Sequence, residues 1–155
     1  MIDWDEFVNE NKKPIFAYCL QFLGNYADAE DVTQDVFVRY FTDSQRGREM
    51  HRGWLYTVAR NACIDKRRWF KRFTSFLKDS RRESVPIKIS DDVRDVSELL
   101  PLLSPQQKEV FILRHWHGFS TADVAAMLAV SEGSIKTQLK RAIEKIKKGL
   151  SHEQD

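Results

Sequence analysis

Near the C-terminus, Ser134, Lys136, Thr137, Lys140 and Arg141 recur at three- and four-residue steps. That spacing puts hydrogen-bond donors on the outside of one helix. An α-helix fits the major groove of duplex DNA, where purine edges and phosphates offer acceptors to such donors. A second group lies earlier: Thr57, Asn61, Asp65 and Arg68 form a polar row, flanked by Arg60, Lys66, Arg67, Lys71 and Arg72. Trp69, Phe70 and Phe73 stand among those cations. Aromatic faces stack on exposed bases while cations neutralise phosphates, so this mixture suits single-stranded or opening DNA. A third group is of opposite sign: after Asp28, the acceptors Glu30, Asp31, Gln34 and Asp35 crowd one short surface. Such a face repels phosphates, so a partner for it is a basic protein surface.

Other chemistries find little support. His115 and His117 flank Trp116, but two-residue spacing splays them on a helix and no third ligand stands near, so no metal is expected. A nuclease would need a carboxylate cluster or a histidine pair at acid–base spacing, and neither is present in the sequence pattern. No enzyme activity and no cofactor are expected.

The elements that must position these groups are helices. Ser120 and Asp123 have the spacing of an N-cap and its third residue, and Val124, Ala125 and Leu128 give the helix they open a short apolar face. Residues 129–131 form a compact break. Ile135, Leu139, Ala142, Ile143 and Ile146 then mark the buried stripe of a longer basic helix. The pair reads as a helix-turn-helix. Upstream of it, Ser104, Pro105 and Gln107 make a helix start, with Val110, Phe111 and Leu113 behind it, and Val96, Leu99, Leu100 and Leu103 begin the same core.

The N-terminal part is a separate helical set. Trp4, Phe7 and Val8 begin a helical pattern that resumes after Pro14 through Ile15, Phe16, Cys19, Leu20, Phe22 and Leu23, with Gly24 as terminator. Val32, Val36, Phe37, Tyr40 and Phe41 are the inward stripe of the next helix. A polar loop covers 43–53, and Trp54, Leu55, Val58, Ala59 and Ala62 then pack a third helix inward. Residues 74–97 lose helical periodicity and carry Pro86 and the Asp91–Asp92 pair, which reads as a linker. Fully extended, that stretch reaches roughly 80 Å, so its two ends could touch DNA sites some distance apart.

Composition agrees. Of the 155 residues, 42% are hydrophobic, enough for folded cores, and the net charge of +2 conceals segregation. Residues 1–50 carry five basic against ten acidic groups, and residues 51–82 carry ten against two. Acidic and basic surfaces on one chain imply two kinds of partner, one of them polyanionic. The start lacks the basic and apolar runs of a signal peptide, and no stretch approaches a membrane span, so a cytoplasmic protein with no membrane insertion is expected. Cys19 and Cys63 sit in apolar helical patterns with no ligand-spaced neighbour, and buried free thiols are expected.

With these residues in place, the chain resembles the bacterial RNA polymerase sigma factors, specifically the small extracytoplasmic-function group, over nearly its whole length. Asp28-Ala-Glu-Asp-Val-Thr-Gln-Asp-Val-Phe37 is similar to the segment that docks on the clamp helices of core RNA polymerase. Trp54-Leu-Tyr-Thr-Val-Ala-Arg-Asn-Ala-Cys-Ile-Asp-Lys-Arg-Arg68 resembles the segment that recognises and opens the minus-ten promoter element. Leu103-Ser-Pro-Gln-Gln-Lys-Glu-Val-Phe111 and Ser131-Glu-Gly-Ser-Ile-Lys-Thr-Gln-Leu-Lys-Arg-Ala142 resemble the domain that reads the minus-thirty-five element. Two positions depart from the pattern. Ala129 stands where the family's turn usually has glycine, which predicts a turn without a left-handed residue. Gln138 replaces a common arginine, at the expense of a phosphate contact.

The resemblance implies an all-α protein of two small helical domains joined by a flexible linker, the C-terminal one a helix-turn-helix: 1–73, linker 74–95, and 96–150. It implies core polymerase binding through Asp28, Glu30, Asp31, Gln34 and Asp35. Minus-ten DNA falls to Arg60, Asn61, Asp65, Lys66, Arg67 and Arg68, and minus-thirty-five DNA to Ser134, Lys136, Thr137, Lys140 and Arg141. Core RNA polymerase and promoter DNA, duplex and melted, are the implied partners, with an anti-sigma factor as a third. Two rivals stay open on the sequence: a sigma-like decoy that sequesters an anti-sigma factor, and a stand-alone helix-turn-helix regulator. The first has no need of the basic, aromatic stretch 60–73, and the second leaves 28–41 unexplained.

Overall fold

The computed structural model describes residues 3–47, 51–76 and 99–153. The chain divides into two compact units, Met1–Pro86 and Ile87–Asp155, and the described residues of both form helices and turns, with no strand among them. Most of the segment read as a linker, from residue 77 on, lies outside the described residues.

The described residues of unit 1 form three helices, α1 (Trp4–Leu23), α2 (Tyr26–Gln45) and α3 (Arg52–Phe76). The Asp3 carboxylate starts α1 by accepting from the Asp5 and Glu6 N–H groups at 3.1 and 3.4 Å. The helix runs unbroken through Pro14, where the sequence pattern paused. Proline removes one ladder donor, but Ile15, Tyr18, Cys19 and Leu20 are buried directly after it and hold the axis in place. Gly24 ends the helix in the left-handed conformation, φ 71°, its N–H donating to the Leu20 carbonyl at 2.8 Å. Asn25 at once caps α2, accepting from the Asp28 N–H at 3.0 Å, so the short connection turns α2 back along α1.

The core of this unit takes a stripe from each helix, with Ile15, Cys19, Val36, Tyr40, Leu55, Ala59 and Cys63 inside it. Tyr56, absent from the expected stripe, is also buried and meets Tyr18 edge-on at 5.4 Å. Phe41, expected inward, is 43% exposed, because it falls about 100° around the helix from Tyr40; its ring meets that of Trp4 edge-on at 4.9 Å. The Tyr40 hydroxyl donates to the His51 carbonyl at 3.2 Å, and burial pushes its pKa up to about 12. His51 also caps α3, its Nδ1 accepting from the Trp54 N–H at 3.1 Å. The same two residues thereby tie the end of α2 to the start of α3.

The described residues of unit 2 include a 3₁₀ turn, Leu100–Leu102, followed by α4 (Pro105–Phe111), a π-helical turn (Ile112–Trp116), α5 (Thr121–Leu128) and α6 (Glu132–Glu153). The expected start of α4 is present as a reciprocal cap: Ser104 Oγ accepts from the Gln107 N–H, and Gln107 Oε1 accepts from the Ser104 N–H, both at 3.2 Å. Ser120 caps α5 at Asp123 as its spacing required, at 3.1 Å. Leu99, Leu100 and Leu103 are buried with Val110, Leu113, Val124, Ile135, Ala142 and Ile146. At Gly149, α6 approaches the first turn so closely that a Cβ would lie 2.6 Å from Leu99 Cδ2.

The turn between α5 and α6 corrects an expectation. Ala129 adopts the left-handed conformation after all, φ 56° and ψ 44°. The reason is tertiary: the Val130 N–H donates to the Ala125 carbonyl at 3.1 Å, and the buried Val124, Ala125 and Ile135 fix both flanking helices. A Cβ in this region costs about 1–2 kcal/mol, while glycine loses more chain entropy on folding, about 0.4–1 kcal/mol. Ala129→Gly is therefore expected to stabilise unit 2 by about 0.5–1 kcal/mol. Denaturant unfolding of the full chain followed by circular dichroism measures the change, and a loss of stability would mean the turn is not strained.

Candidate nucleic-acid and protein interfaces

On unit 1, the α2 and α3 surfaces carry opposite charge. Glu30, Asp31, Gln34 and Asp35 are exposed on α2, while Asp28 is half-buried at its N-terminal cap, where the helix dipole favours a carboxylate. On α3, Asn61, Asp65 and Arg68 are exposed in a row along one face, beside the half-buried Arg60 and Lys66. The row exists because Leu55, Ala59, Ala62 and Cys63 turn the opposite face of the same helix into the core.

Two cations of the expected group have local attachments. The Arg67 guanidinium lies 4.7 Å over the Phe22 ring and donates to the Phe22 carbonyl at 2.5 Å, so it binds the C-terminal end of α1. Lys66 stands 4.0 Å from the Asp31 carboxylate and 5.9 Å from the Trp69 ring centroid. An exposed pair of that length contributes little to stability, yet it places the acidic face of α2 directly beside the basic helix. Trp69 itself is 55% exposed, as an aromatic that meets a base must be. The side chains of Phe70 and Phe73 lie outside the described residues.

A groove of about 340 Å³ separates the two helices, lined by Val38, Arg39, Thr42, Asp43 and Arg46 from α2 and its end, and by Trp54, Val58 and Asn61 from α3. Its walls combine an indole, two valines, an amide, a carboxylate and two guanidinium groups, the kinds of group that hold a planar polar ring. The α2 side of this groove was not legible as a site. Its one signal in the sequence is Val38, an apolar residue off the buried stripe, which is 65% exposed here.

On unit 2, Lys136, Thr137, Lys140 and Arg141 are exposed along α6, and Ser134 is half-buried with its N–H donating to Ser131 Oγ at 3.1 Å. Lys136 and Lys140 share an open cleft of about 480 Å³ with Arg114, Thr121, Leu139, Ile143, Glu144 and Lys147. Thr137 and Arg141 lie on the neighbouring row of the helix. Arg114 is held at the cleft by its Nη1, which donates to the Phe119 carbonyl at 2.7 Å. Among the described residues, no three His, Cys, Asp or Glu side chains cluster to hold a metal, and His117 is buried with its backbone N–H donating to the Ile112 carbonyl at 3.1 Å. No helix of the described residues is long and apolar enough to cross a membrane.

Leu139 and Ile143, expected in the core, are only half-buried and face the cleft, whereas Ile135, Ala142 and Ile146 carry the packing. The difference is measurable. Ile135→Asp puts an unpaired charge where no water reaches and is expected to cost more than about 4 kcal/mol, unfolding unit 2. Leu139→Asp forfeits only part of one side chain's burial, about 1–2 kcal/mol, and should leave the unit folded. Thermal denaturation of the two variants compares them, and equal losses would put Leu139 back in the core.

Comparisons with known proteins agree with this layout. Residues 7–73 match the family model for sigma-70 region 2, and residues 94–146 the model for sigma-70 region 4. The ECF RNA polymerase sigma factor SigL of Mycobacterium tuberculosis is 29% identical, over 90% of this chain and 84% of its own. BldN of Streptomyces coelicolor, another ECF RNA polymerase sigma factor, is 31% identical over 83% of this chain and 53% of its own. Among solved structures, the sigma factor RpoE of Bartonella quintana, crystallised with the anti-sigma factor NepR, superposes with a TM-score of 0.84 at 27% identity, covering 96% of this chain and 97% of its own. These relatives are sigma factors, not enzymes. With both region models matched in order and with the helices they require in place, the chain belongs to the extracytoplasmic-function group of the sigma-70 family.

Proposed function

We propose that this chain works as a cytoplasmic, non-enzymatic initiation factor whose two units divide one task, unit 1 opening promoter DNA and unit 2 anchoring it. As a sigma factor it binds core RNA polymerase, directs it to promoters, and recognises and opens promoter DNA. The residue assignments are our reading. Asp28, Glu30, Asp31, Gln34 and Asp35 dock on a basic surface of core polymerase. Asn61, Asp65 and Arg68, with Arg60, Lys66 and Arg67 beside them, take the minus-ten element. Ser134, Lys136, Thr137, Lys140 and Arg141 take the minus-thirty-five element. Residues 1–73 and 96–150 form the working domains, and 74–95 the linker between them. The complex of the similar RpoE with NepR supports an anti-sigma factor as a further partner.

The observation that carries this reading is the groove between α2 and α3, because it opens at Asn61 on the polar row and is walled by Trp54. A nucleobase leaving the duplex finds there an apolar floor in Val38 and Val58, an amide and a carboxylate for its edge, and Arg39 and Arg46 for the phosphates on either side. Stacking a base on an aromatic side chain is worth about 1–3 kcal/mol, and opening one base-pair step costs about 1.4 kcal/mol on average. One captured base thus offsets about one opened step, so a bubble of many steps needs further contacts from the polymerase-bound complex. Arg67, attached to Phe22, contributes charge near the strand while holding α1 against α3.

Three experiments test the assignments. Reversing charge at Asp31 and Asp35 should weaken co-purification with core polymerase at least tenfold, about 1.4 kcal/mol, with folding intact because both are exposed; unchanged co-purification removes this face from docking. Asn61→Ala with Arg68→Ala should leave core binding intact but impair promoter opening, read by permanganate footprinting. Normal melting with reduced core affinity would move the row to the polymerase interface. Arg141→Ala should cost about 1–3 kcal/mol and relax preference at one or two upstream positions if it reads bases, or weaken all sequences alike with a shallower salt slope if it holds phosphate. Transcription from promoters randomised upstream separates the two, and unchanged output with unchanged preference favours the decoy.

A further inference from the structure

The last turn of α1 holds no basic residue, although the closing carbonyls of a helix carry the negative end of its dipole and lack partners within the helix. The cation comes from α3 instead. Arg67 donates to the Phe22 carbonyl at 2.5 Å, and its guanidinium lies 4.7 Å over the Phe22 ring. That ring ends a run of aromatic contacts along the seam of α1 and α3. Phe22 meets Tyr18 at 6.2 Å, Tyr18 meets Tyr56 edge-on at 5.4 Å, and the Arg52 guanidinium lies 5.2 Å over the Tyr56 ring. Tyr18 and Tyr56 are buried, whereas Arg52 and Arg67 are exposed. The two arginines stand fifteen residues apart on α3, about 22 Å along its axis. Each closes one end of the run.

We propose that Arg52 and Arg67 are positioning residues for promoter opening: stacked on the two ends of this aromatic run, they set the place of α3 against α1, and with it the place of the DNA-facing row. This role depends on the α3 row holding the minus-ten element. Arg67 then takes part in holding that element by placement rather than by a phosphate contact.

The helix itself divides the charge. Arg52, Tyr56, Ala59, Cys63 and Arg67 recur at three- and four-residue steps, so the arginines continue the α1-facing side of α3 beyond its buried middle. Arg67 falls about 100–160° around the helix from Asn61, Asp65 and Arg68. Three consecutive cations therefore have three addresses: Lys66 stands 4.0 Å from Asp31 of α2, Arg67 binds the end of α1, and Arg68 remains in the exposed row. At the other end of α3, Arg52 stands two residues before Trp54, the indole wall of the groove. A guanidinium suits both places, because it is planar and cationic and can stack on a ring while donating in its own plane. A slide of α3 against α1 would move Trp54 and the row together, and a displacement of about 1 Å is enough to loosen a binding site.

Opening is measured with core-bound full-length protein on one promoter, as permanganate reactivity over time at several salt concentrations. Arg52→Ala and Arg67→Ala should each slow opening several-fold, while core co-purification and the salt slope stay at wild-type values. Loss of a phosphate contact would instead make the slope shallower by about 0.7–0.9. Phe22→Leu changes no charge and lies on α1. It should slow opening as much as Arg67→Ala does, and the two together no further than either alone, as residues sharing one contact behave. Arg52→Lys and Arg67→Lys keep the charge and a donor without the flat stack, and keep the fold measurable should an alanine variant fail to fold; each should still open at least twofold more slowly. A shallower slope, effects that multiply in the double variant, or wild-type opening by Phe22→Leu or by the lysine variants would each overturn the proposal. So would core co-purification that falls in step with opening, the mark of a merely structural pair. Normal opening by Asn61→Ala with Arg68→Ala would instead count against the assignment of the row, which those variants test separately.

Discussion

Unit 1 depends on the burial of a single face of α3. Leu55, Ala59 and Cys63 succeed one another at four-residue steps with no exposure, and Ala62 joins them. Burying an apolar side chain of that kind is worth about 1.5–3 kcal/mol for the larger residues, so the stripe dictates how α3 is rotated against α1 and α2. Once that rotation is set, the remaining face is also set, and Asn61, Asp65 and Arg68 have nowhere to point but outward. The small side chains in the stripe let α3 come close enough for Arg67 to reach the Phe22 carbonyl.

The same constraint exposes both charged surfaces. α2 lies beside α3 with its own stripe of Val32, Val36 and Tyr40 buried, which leaves its acidic residues exposed, with Asp31 beside Lys66 of α3. The acidic residues of α2 and the polar row of α3 thus sit on adjacent helices, and the Lys66–Asp31 pair is where the two charged surfaces meet. Tyr40 holds the far end: its hydroxyl on the His51 carbonyl fixes the approach to Trp54, and with it the mouth of the groove.

Unit 2 solves a different problem. α6, which exposes Lys136 and Lys140, is held by Ile135, Ala142, Ile146 and the close contact of Gly149 with Leu99. The angle between α5 and α6 comes from a turn that an alanine occupies at positive φ. The strain persists because the packing on both sides exceeds it, which is the condition under which strained residues survive in folded proteins.

The sequence by itself determined whatever rests on neighbours along the chain. Helix starts at Ser104 and Ser120 and the stop at Gly24 need only three or four adjacent residues, and helical periodicity told most of the buried stripes from the exposed rows, Asn61, Asp65 and Arg68 among them. Sign and clustering of charge are likewise properties of the order of residues. Tertiary structure decided what depends on distances between residues far apart in that order. It put Ala129 at positive φ, left Leu139 and Ile143 lining a cleft where periodicity placed them in a core, and sent Arg67 to the end of α1. It also built the groove from two helices whose pairing no local pattern specifies. A helical period says which residues share a face; only packing says how much of that face another helix covers.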